Sequence, residues 1–127
     1  EFALQGPTSE ARRALKSLPD VGPKTADVVL AMVANHPTFP VATHIARIAW
    51  RWRLVTRGGY ETTRAVLEAW TPPARRRSWH LAIIAHGREL CKARNPHCEK
   101  CPIRRDCDWY RLPRHEGARR AKRVTKD

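Results

Sequence analysis

Four cysteines and one lysine carry the chemistry open to this chain. Cys91, Cys98, Cys101 and Cys107 are its only cysteines, gathered in one basic window with the spacing C-x6-C-x2-C-x5-C. Disulfides that staple a secreted domain tie distant segments together, so a single cluster of thiols points instead to metal ligation. Four soft ligands suit either a tetrahedral zinc ion or a cubane iron-sulfur cluster. A zinc ribbon usually brings two C-x2-C knuckles and this window has one, Cys98 to Cys101, which leans only mildly between the two. Lys24 follows Leu18-Pro19-Asp20-Val21-Gly22-Pro23, at the start of an apolar helical pattern. The positive end of a helix macrodipole disfavours a second cation there, and a neutral amine is a nucleophile that forms a Schiff base with an electrophilic sugar carbon. A solvated surface lysine is the plain alternative.

The elements that must position these groups read as helical throughout. After Pro7, Thr8 and Ser9 can cap a short helix in which Ala11, Ala14, Leu15 and Leu18 repeat at three and four residues. Pro19 to Gly22 breaks it, and Pro23 suits the first position of a second helix over Lys24 to Ala34, stopped by Asn35-His36-Pro37. Such a tight turn aims backbone N–H groups outward, where they grip a phosphate without reading a base; an ordinary helical corner is the other reading. Residues 42 to 53 place Ile45, Ile48, Ala49 and Trp52 on one buried stripe, with Arg47, Arg51 and Arg53 mostly off it. Gly58-Gly59 punctuates, Tyr60 to Trp70 reads as a helix, and Thr71-Pro72-Pro73 precedes a long helical stretch, Ala74 to Leu90, that delivers the chain to Cys91. Trp79, His80 and His86 in that stretch read as packing or local hydrogen-bonding residues, and Arg75-Arg76-Arg77 as a solvated helix face, with phosphate binding the other reading. Residues 111 to 127 are basic and polar and read as a frayed tail.

The chain has 127 residues and a formal charge of +13. By segment the charge is +1 for residues 1–50, +7 for 51–100 and +5 for 101–127. A field of this kind suits a polyanion, since each phosphate neutralised releases condensed counterions. Charge alone leaves duplex DNA, RNA and an anionic membrane surface open. The longest apolar run, Val28 to Ala34, is far too short to span a bilayer, and no targeting segment is seen.

Three segments in order, LPDVGPKTADVV, FPVATHIARI with Ala42 eighteen positions after Lys24, and HGRELC leading into the cysteine window, resemble the endonuclease III family of helix-hairpin-helix DNA glycosylases. The likeness runs from about Leu15 to Cys107. It implies an all-α, partial helix-hairpin-helix glycosylase fold ending in an iron-sulfur loop. Residues 1–73 would hold the hairpin and part of the helical glycosylase domain, 74–110 the iron-sulfur domain and 111–127 a basic tail. The implied activity is that of a bifunctional DNA N-glycosylase and abasic-site lyase, which flips a damaged base because its target atom is unreachable inside the stack. Lys24 is then the amine that attacks the sugar. Val21, Gly22, Lys24, Thr25, His44, Lys92 and Arg94 meet DNA, and Cys91, Cys98, Cys101 and Cys107 hold a 4Fe-4S cluster in preference to zinc. The partner is double-stranded DNA with a damaged or abasic site and no membrane is involved. The compartment is cytoplasmic, at the nucleoid, in a bacterium or archaeon and nuclear in a eukaryote.

Three departures qualify the likeness. The family pattern has aspartate where this chain has Ala42, and losing a positioned acid/base group costs about 10² to 10⁴ in rate. Base excision is therefore expected to be severely weakened, leaving a non-enzymatic damaged-DNA binding module as the alternative function. The intact neighbours of Ala42 favour an introduced substitution over natural loss. Asp27 is expected to form a helix-surface ion pair with Lys24 at i, i+3. Asp20 stands where the family usually has glycine; it tolerates a left-handed backbone but brings negative charge to a phosphate site. The chain is also shorter than family members, so an N-terminal portion is expected to be missing or supplied as a separate chain. Without it, the apolar faces of residues 28–33 and 45–52 should lack part of their cover.

Overall fold

The structure, a computed structural model, describes residues 5–111, so most of the basic tail expected over 111–127 lies outside the described residues. Every regular element among them is helical: α1 (Thr8–Lys16), α2 (Pro23–Met32), α3 (Thr43–Arg51), α4 (Tyr60–Trp70), α5 (Arg76–Glu89) and the single turn α6 (Asp108–Arg111). Short 3-10 turns at Pro73–Arg75, Cys98–Lys100 and Arg104–Asp106 join the last elements.

The first two helices form a hairpin with a small core of Ala11, Leu15, Ala26 and Leu30, the residues that face each other at helical spacing. Pro7, not Thr8 or Ser9, occupies the cap of α1. Thr8 is already helical, and its Oγ1 shares a hydrogen bond of 2.9 Å with His36 Nδ1 beyond the end of α2. The turn between the helices rests on Asp20 at φ 64°, the left-handed conformation that its short polar side chain tolerates. Gly22 caps α2 and Pro23 takes the first helical position, where its missing N–H costs nothing.

A larger core holds Phe39, Val41, Ile45, Ile48, Ala49, Trp50, Val55, Leu67, Ile83 and Trp109, so α3 runs through the centre with α4, α5 and α6 around it. The face over residues 45–52, expected to lack part of its cover, is largely buried: Ile45 and Ile48 are completely enclosed in a cluster with Phe39, Val41, Leu67, Ile83 and Trp109, and Trp52 is half-buried. The other expected exposure is seen in part, with Val28 and Val33 open to solvent on α2 while Leu30 and Ala31 are buried. Trp50 is buried where the stripe placed Trp52, which lies past the last turn and is half-buried. The stretch expected to be one helix from Ala74 starts as a 3-10 turn over Pro73–Arg75, and α5 follows from Arg76.

Asp27 ties the hairpin to the rest. It is fully buried and takes an ion pair from Arg12 at 2.7 Å, another from Arg64 at 3.1 Å, and a hydrogen bond from the Tyr60 hydroxyl at 2.8 Å. This corrects the surface pair expected with Lys24: Asp27 faces α1 and α4, while Lys24 is exposed. Burial first, and then Asp27, hold the Tyr60 hydroxyl well above its usual range, so it remains a proton donor.

Candidate nucleic-acid interface and metal centre

The hairpin presents Gly22, Lys24 and Thr25 on an exposed edge, with Val21 half-buried beneath them. Lys24 is the second residue of α2, in the first turn where backbone N–H groups lack helical partners. Gly22 has φ −93°, which any residue adopts, and a Cβ built there meets nothing within 4 Å. Nothing in the chain itself requires a glycine, so its effect is to leave open space in front of the helix start.

Ala42 is the N-cap of α3, at φ −80° and ψ 171°, and its carbonyl accepts the first helical bond from Ala46 N at 2.9 Å. No side chain caps this helix. The position where the resemblance expects aspartate is thus also the position where a carboxylate would satisfy free N–H groups.

One turn into α3 lies a pair of arginines that sequence reasoning placed wrongly. Arg47 and Arg51 were expected off the buried stripe, yet they are 4% and 3% exposed. Arg47 Nη2 donates to His44 Nδ1 at 2.8 Å, to the Cys91 carbonyl at 2.9 Å and to the Gly87 carbonyl at 3.2 Å. Arg51 donates to the Lys92 carbonyl at 2.9 Å, to the Ala93 carbonyl at 3.3 Å and to Cys91 Sγ at 3.1 Å, and its guanidinium lies 4.5 Å over the Trp109 ring. The signal was present: Ala46 and Trp50, which flank the stripe, are apolar as well. A helix apolar on every side is buried, and its two arginines at i, i+4 must then be buried with partners.

These contacts fix the basic loop after α5. Lys92 and Arg94 are exposed on it, and the arginines of α3 hold its backbone carbonyls from behind. His44 is half-buried between α3 and α5, and Gly87 makes room for it: a Cβ at Gly87 would stand 2.9 Å from the His44 Cβ and 3.2 Å from Arg47 Nη2. Burial, then the charges of Arg47 and Arg88, lower the pKa of His44 and favour its neutral ring.

The four cysteines line one cavity with Trp52, His86, Leu90 and Trp109. None is in a disulfide, and burial pushes the Cys107 thiol up. Among the described residues no three His, Cys, Asp or Glu side chains converge closely enough to hold one metal ion. Four thiols around a shared hollow suit a multi-atom cluster better than a single tetrahedral zinc, and the hydrogen bond from Arg51 to Cys91 Sγ is the kind that stabilises a thiolate ligand. The neighbouring aromatics pack or bond locally, as expected: His80 meets Phe39 edge-on at 5.4 Å, Trp79 meets Trp70 at 5.3 Å, and His86 lies 6.3 Å from Trp52 with its Nε2 3.8 Å from Cys101 Sγ. Arg76 is not the solvated cation expected, since it clamps the Pro37 and Glu68 carbonyls at 2.6 Å each; Arg75 and Arg77 are exposed.

Comparison with known proteins meets this geometry at both ends. The family described as the iron-sulfur binding domain of endonuclease III matches residues 91–107, and endonuclease III of Treponema pallidum is 45% identical over 109 residues, covering 84% of this chain and 49% of that protein. The chain is a relative of the endonuclease III family. Endonuclease III of Rickettsia felis is 40% identical over 104 residues (78% of this chain, 46% of the relative), and that of Escherichia coli K12 is 38% identical over 104 residues (82% and 49%). Among solved structures, a non-covalent endonuclease III–DNA complex superposes with a TM-score of 0.73 at 28% identity, covering 96% of this chain and 53% of that one. A trapped endonuclease III–DNA covalent intermediate gives 0.75 at 28% identity, covering 87% and 52%. The all-α helix-hairpin-helix fold and the 4Fe-4S cofactor follow from these matches. The chain spans about half the length of the relatives it matches. No helix among the described residues is long and apolar enough to cross a membrane.

Proposed function

We propose that this chain is the DNA-engaging and nucleophile-bearing part of a base excision repair protein, a glycosylase and abasic-site lyase of the endonuclease III kind. The observation that carries the reading is Lys24, exposed in the first turn of α2 immediately behind the open hairpin, in a fold shared with endonuclease III bound to DNA. Val21, Gly22 and Thr25 with the start of α2 would grip phosphate, and Lys92 and Arg94 would meet the backbone from the cysteine-pinned loop. The substrate is double-stranded DNA with a damaged or abasic site. Residues 1–73 supply the hairpin and lysine, and 74–110 supply the loop.

The Lys24 amine would add to the aldehyde carbon of an abasic sugar, and loss of water gives the iminium. Its adjacent C2′ proton is then acidic, and departure of that proton expels the 3′ phosphate and breaks the strand. Cys91, Cys98, Cys101 and Cys107 would hold the 4Fe-4S cluster, which supplies a structural cross-link when bound. Base excision asks more, because charge must be stabilised on the sugar, and the alanine methyl at position 42 offers nothing for that. Ala42 is the specific observation favouring a second reading, a module that binds damaged DNA and leaves the base in place. The segments of its relatives that this chain does not span would be supplied by other parts of the protein or by a separate chain. The protein works where DNA is: the cytoplasm of a bacterium or archaeon, or a eukaryotic nucleus.

Borohydride reduction in the presence of abasic-site duplex tests this. A covalent adduct that disappears in Lys24→Ala is expected; binding without any adduct would leave the second reading. Iron and sulfide analysis of the purified protein should return four of each per chain, and stoichiometric zinc would overturn the cofactor assignment.

A further inference from the structure

His44 sits between two facts that together fix its chemistry. Arg47 only donates hydrogen bonds, and of the three partners that share the two hydrogens of its Nη2, His44 Nδ1 is the nearest at 2.8 Å, so the contact favours Nδ1 as the unprotonated acceptor. The proton of the neutral ring then belongs on Nε2. Arg47 is itself unable to turn away, because its Nε and Nη2 are held by the Cys91 carbonyl at 3.2 and 2.9 Å and Nη2 also by the Gly87 carbonyl at 3.2 Å. A protonated His44 would set an N–H against an N–H beside a buried cation, which opposes the imidazolium. His44 is also the second residue of the nine-residue helix α3, whose leading N–H groups favour an approaching anion.

We propose that Arg47 is a positioning residue that locks His44 as its Nε2–H tautomer, presenting one uncharged donor to a DNA phosphate at the start of α3. This rests on the DNA-binding reading above and deepens it. The contact differs in kind from those of Lys24, Lys92 and Arg94. It gives direction to docking without releasing a counterion, and Gly87 is small because the lock occupies the space a side chain would need.

Long-range proton–nitrogen spectra of the 15N-histidine-labelled chain at pH 7.5, without DNA, should show His44 with Nδ1 bare and Nε2 protonated. Arg47→Lys, which keeps a cation but not the fork, should release a mixture of tautomers. Binding to a duplex carrying a stable abasic analogue is then followed by anisotropy over a salt series. His44→Ala should weaken it about tenfold with the slope of log K against log salt unchanged. His44→Gln, whose amide N–H stands near the Nε2 position, should recover most of the loss, and His44→Asn should not. A protonated or Nδ1–H ring in the wild type would overturn the lock. So would unchanged affinity in His44→Ala, or a slope reduced by about 0.9, the mark of a lost cation. If the wild type binds no duplex at any salt while the tautomer remains locked, the DNA reading has failed, and the phosphate half of this proposal with it.

Discussion

Placing a carboxylate at the start of α3 with Ala42→Asp separates two roles that this position could combine. Ala42 already has the extended backbone of an N-cap, and α3 begins directly after it with no side-chain cap. A carboxylate there can accept from the free N–H of His44 or Ile45, so the substitution needs no backbone movement. Capping by Asp in place of Ala contributes about 1 kcal/mol, within a range of about 0.5–2, and the charge at the positive helix end adds about 0.3–1. We expect a net gain of about 1.5 kcal/mol, or roughly 5–7 °C in Tm for a domain of this size. Ala42→Asn separates cap from charge: it should deliver most of the stability and none of the chemistry. Excision of a damaged base from duplex DNA should rise by about 10² or more only with aspartate, measured as single-turnover base release in the protein carrying its full glycosylase domain. Melting curves of wild type, Ala42→Asp and Ala42→Asn read the first effect. Equal or lower stability in both variants would refute the capping argument, and equal excision by the two would refute the charge argument.

Four further outcomes rest on the packing. Gly87→Ala should cost about 1–3 kcal/mol by denaturant unfolding, since the new methyl stands 2.9 Å from the His44 Cβ and the well-packed interface of α3 with α5 must shift. Asp27→Asn should cost about 3 kcal/mol, the low end for breaking a buried pair because Arg12 and Arg64 keep 15% of their side chains in solvent; Lys24→Ala should change stability by less than about 0.5 kcal/mol. His80 is buried against Phe39 and its pKa is lowered by that burial, so the unfolded chain binds the proton more readily. Stability is therefore complete above the unfolded value near 6.5 and declines as pH falls below it, by up to about 1.4 kcal/mol per unit from this residue. Unfolding free energies at pH 7.5 and 5.5 should differ by less in His80→Gln than in the wild type.

Periodicity and punctuation made the helices legible, because the signals are local: Gly58-Gly59 before Tyr60, Pro23 at the first position of α2, and the stop at Asn35, which takes a left-handed φ of 58°. The cysteine window was legible for the same reason, since all its donors lie close in sequence. What escaped was tertiary pairing. Asp27 is three residues from Lys24, and local reasoning joined them. Its true partners, Arg12 and Arg64, are 15 and 37 residues away, and nothing short of the fold brings α1 and α4 to the same side of α2. The burial of Arg47 and Arg51 was announced locally by the apolar Ala46 and Trp50, but their acceptors are backbone carbonyls some 40 residues on, which no residue pattern announces.

Those two arginines change what the cysteine window means for the rest of the chain. A cluster ligated only by its own loop would order that loop and nothing more. Here Cys91, the first cysteine of the window, is gripped twice from α3, by Arg47 at its carbonyl and by Arg51 at its sulfur, and α3 is the helix that Ala42 caps and that carries His44. The basic loop and the start of α3 are therefore parts of one rigid body joined through buried, charge-assisted hydrogen bonds. Placing a carboxylate at position 42 would be of little use if that joint were loose, because catalytic groups lose most of their effect when displaced by about 1 Å. Arg51→Met, similar in volume but without donors, isolates the joint. It should leave the isolated α1–α2 hairpin contacts intact and weaken DNA binding through the loop. It should also erase most of any excision gained in the Ala42→Asp background, and additive effects of the two substitutions would show that loop and helix start act independently.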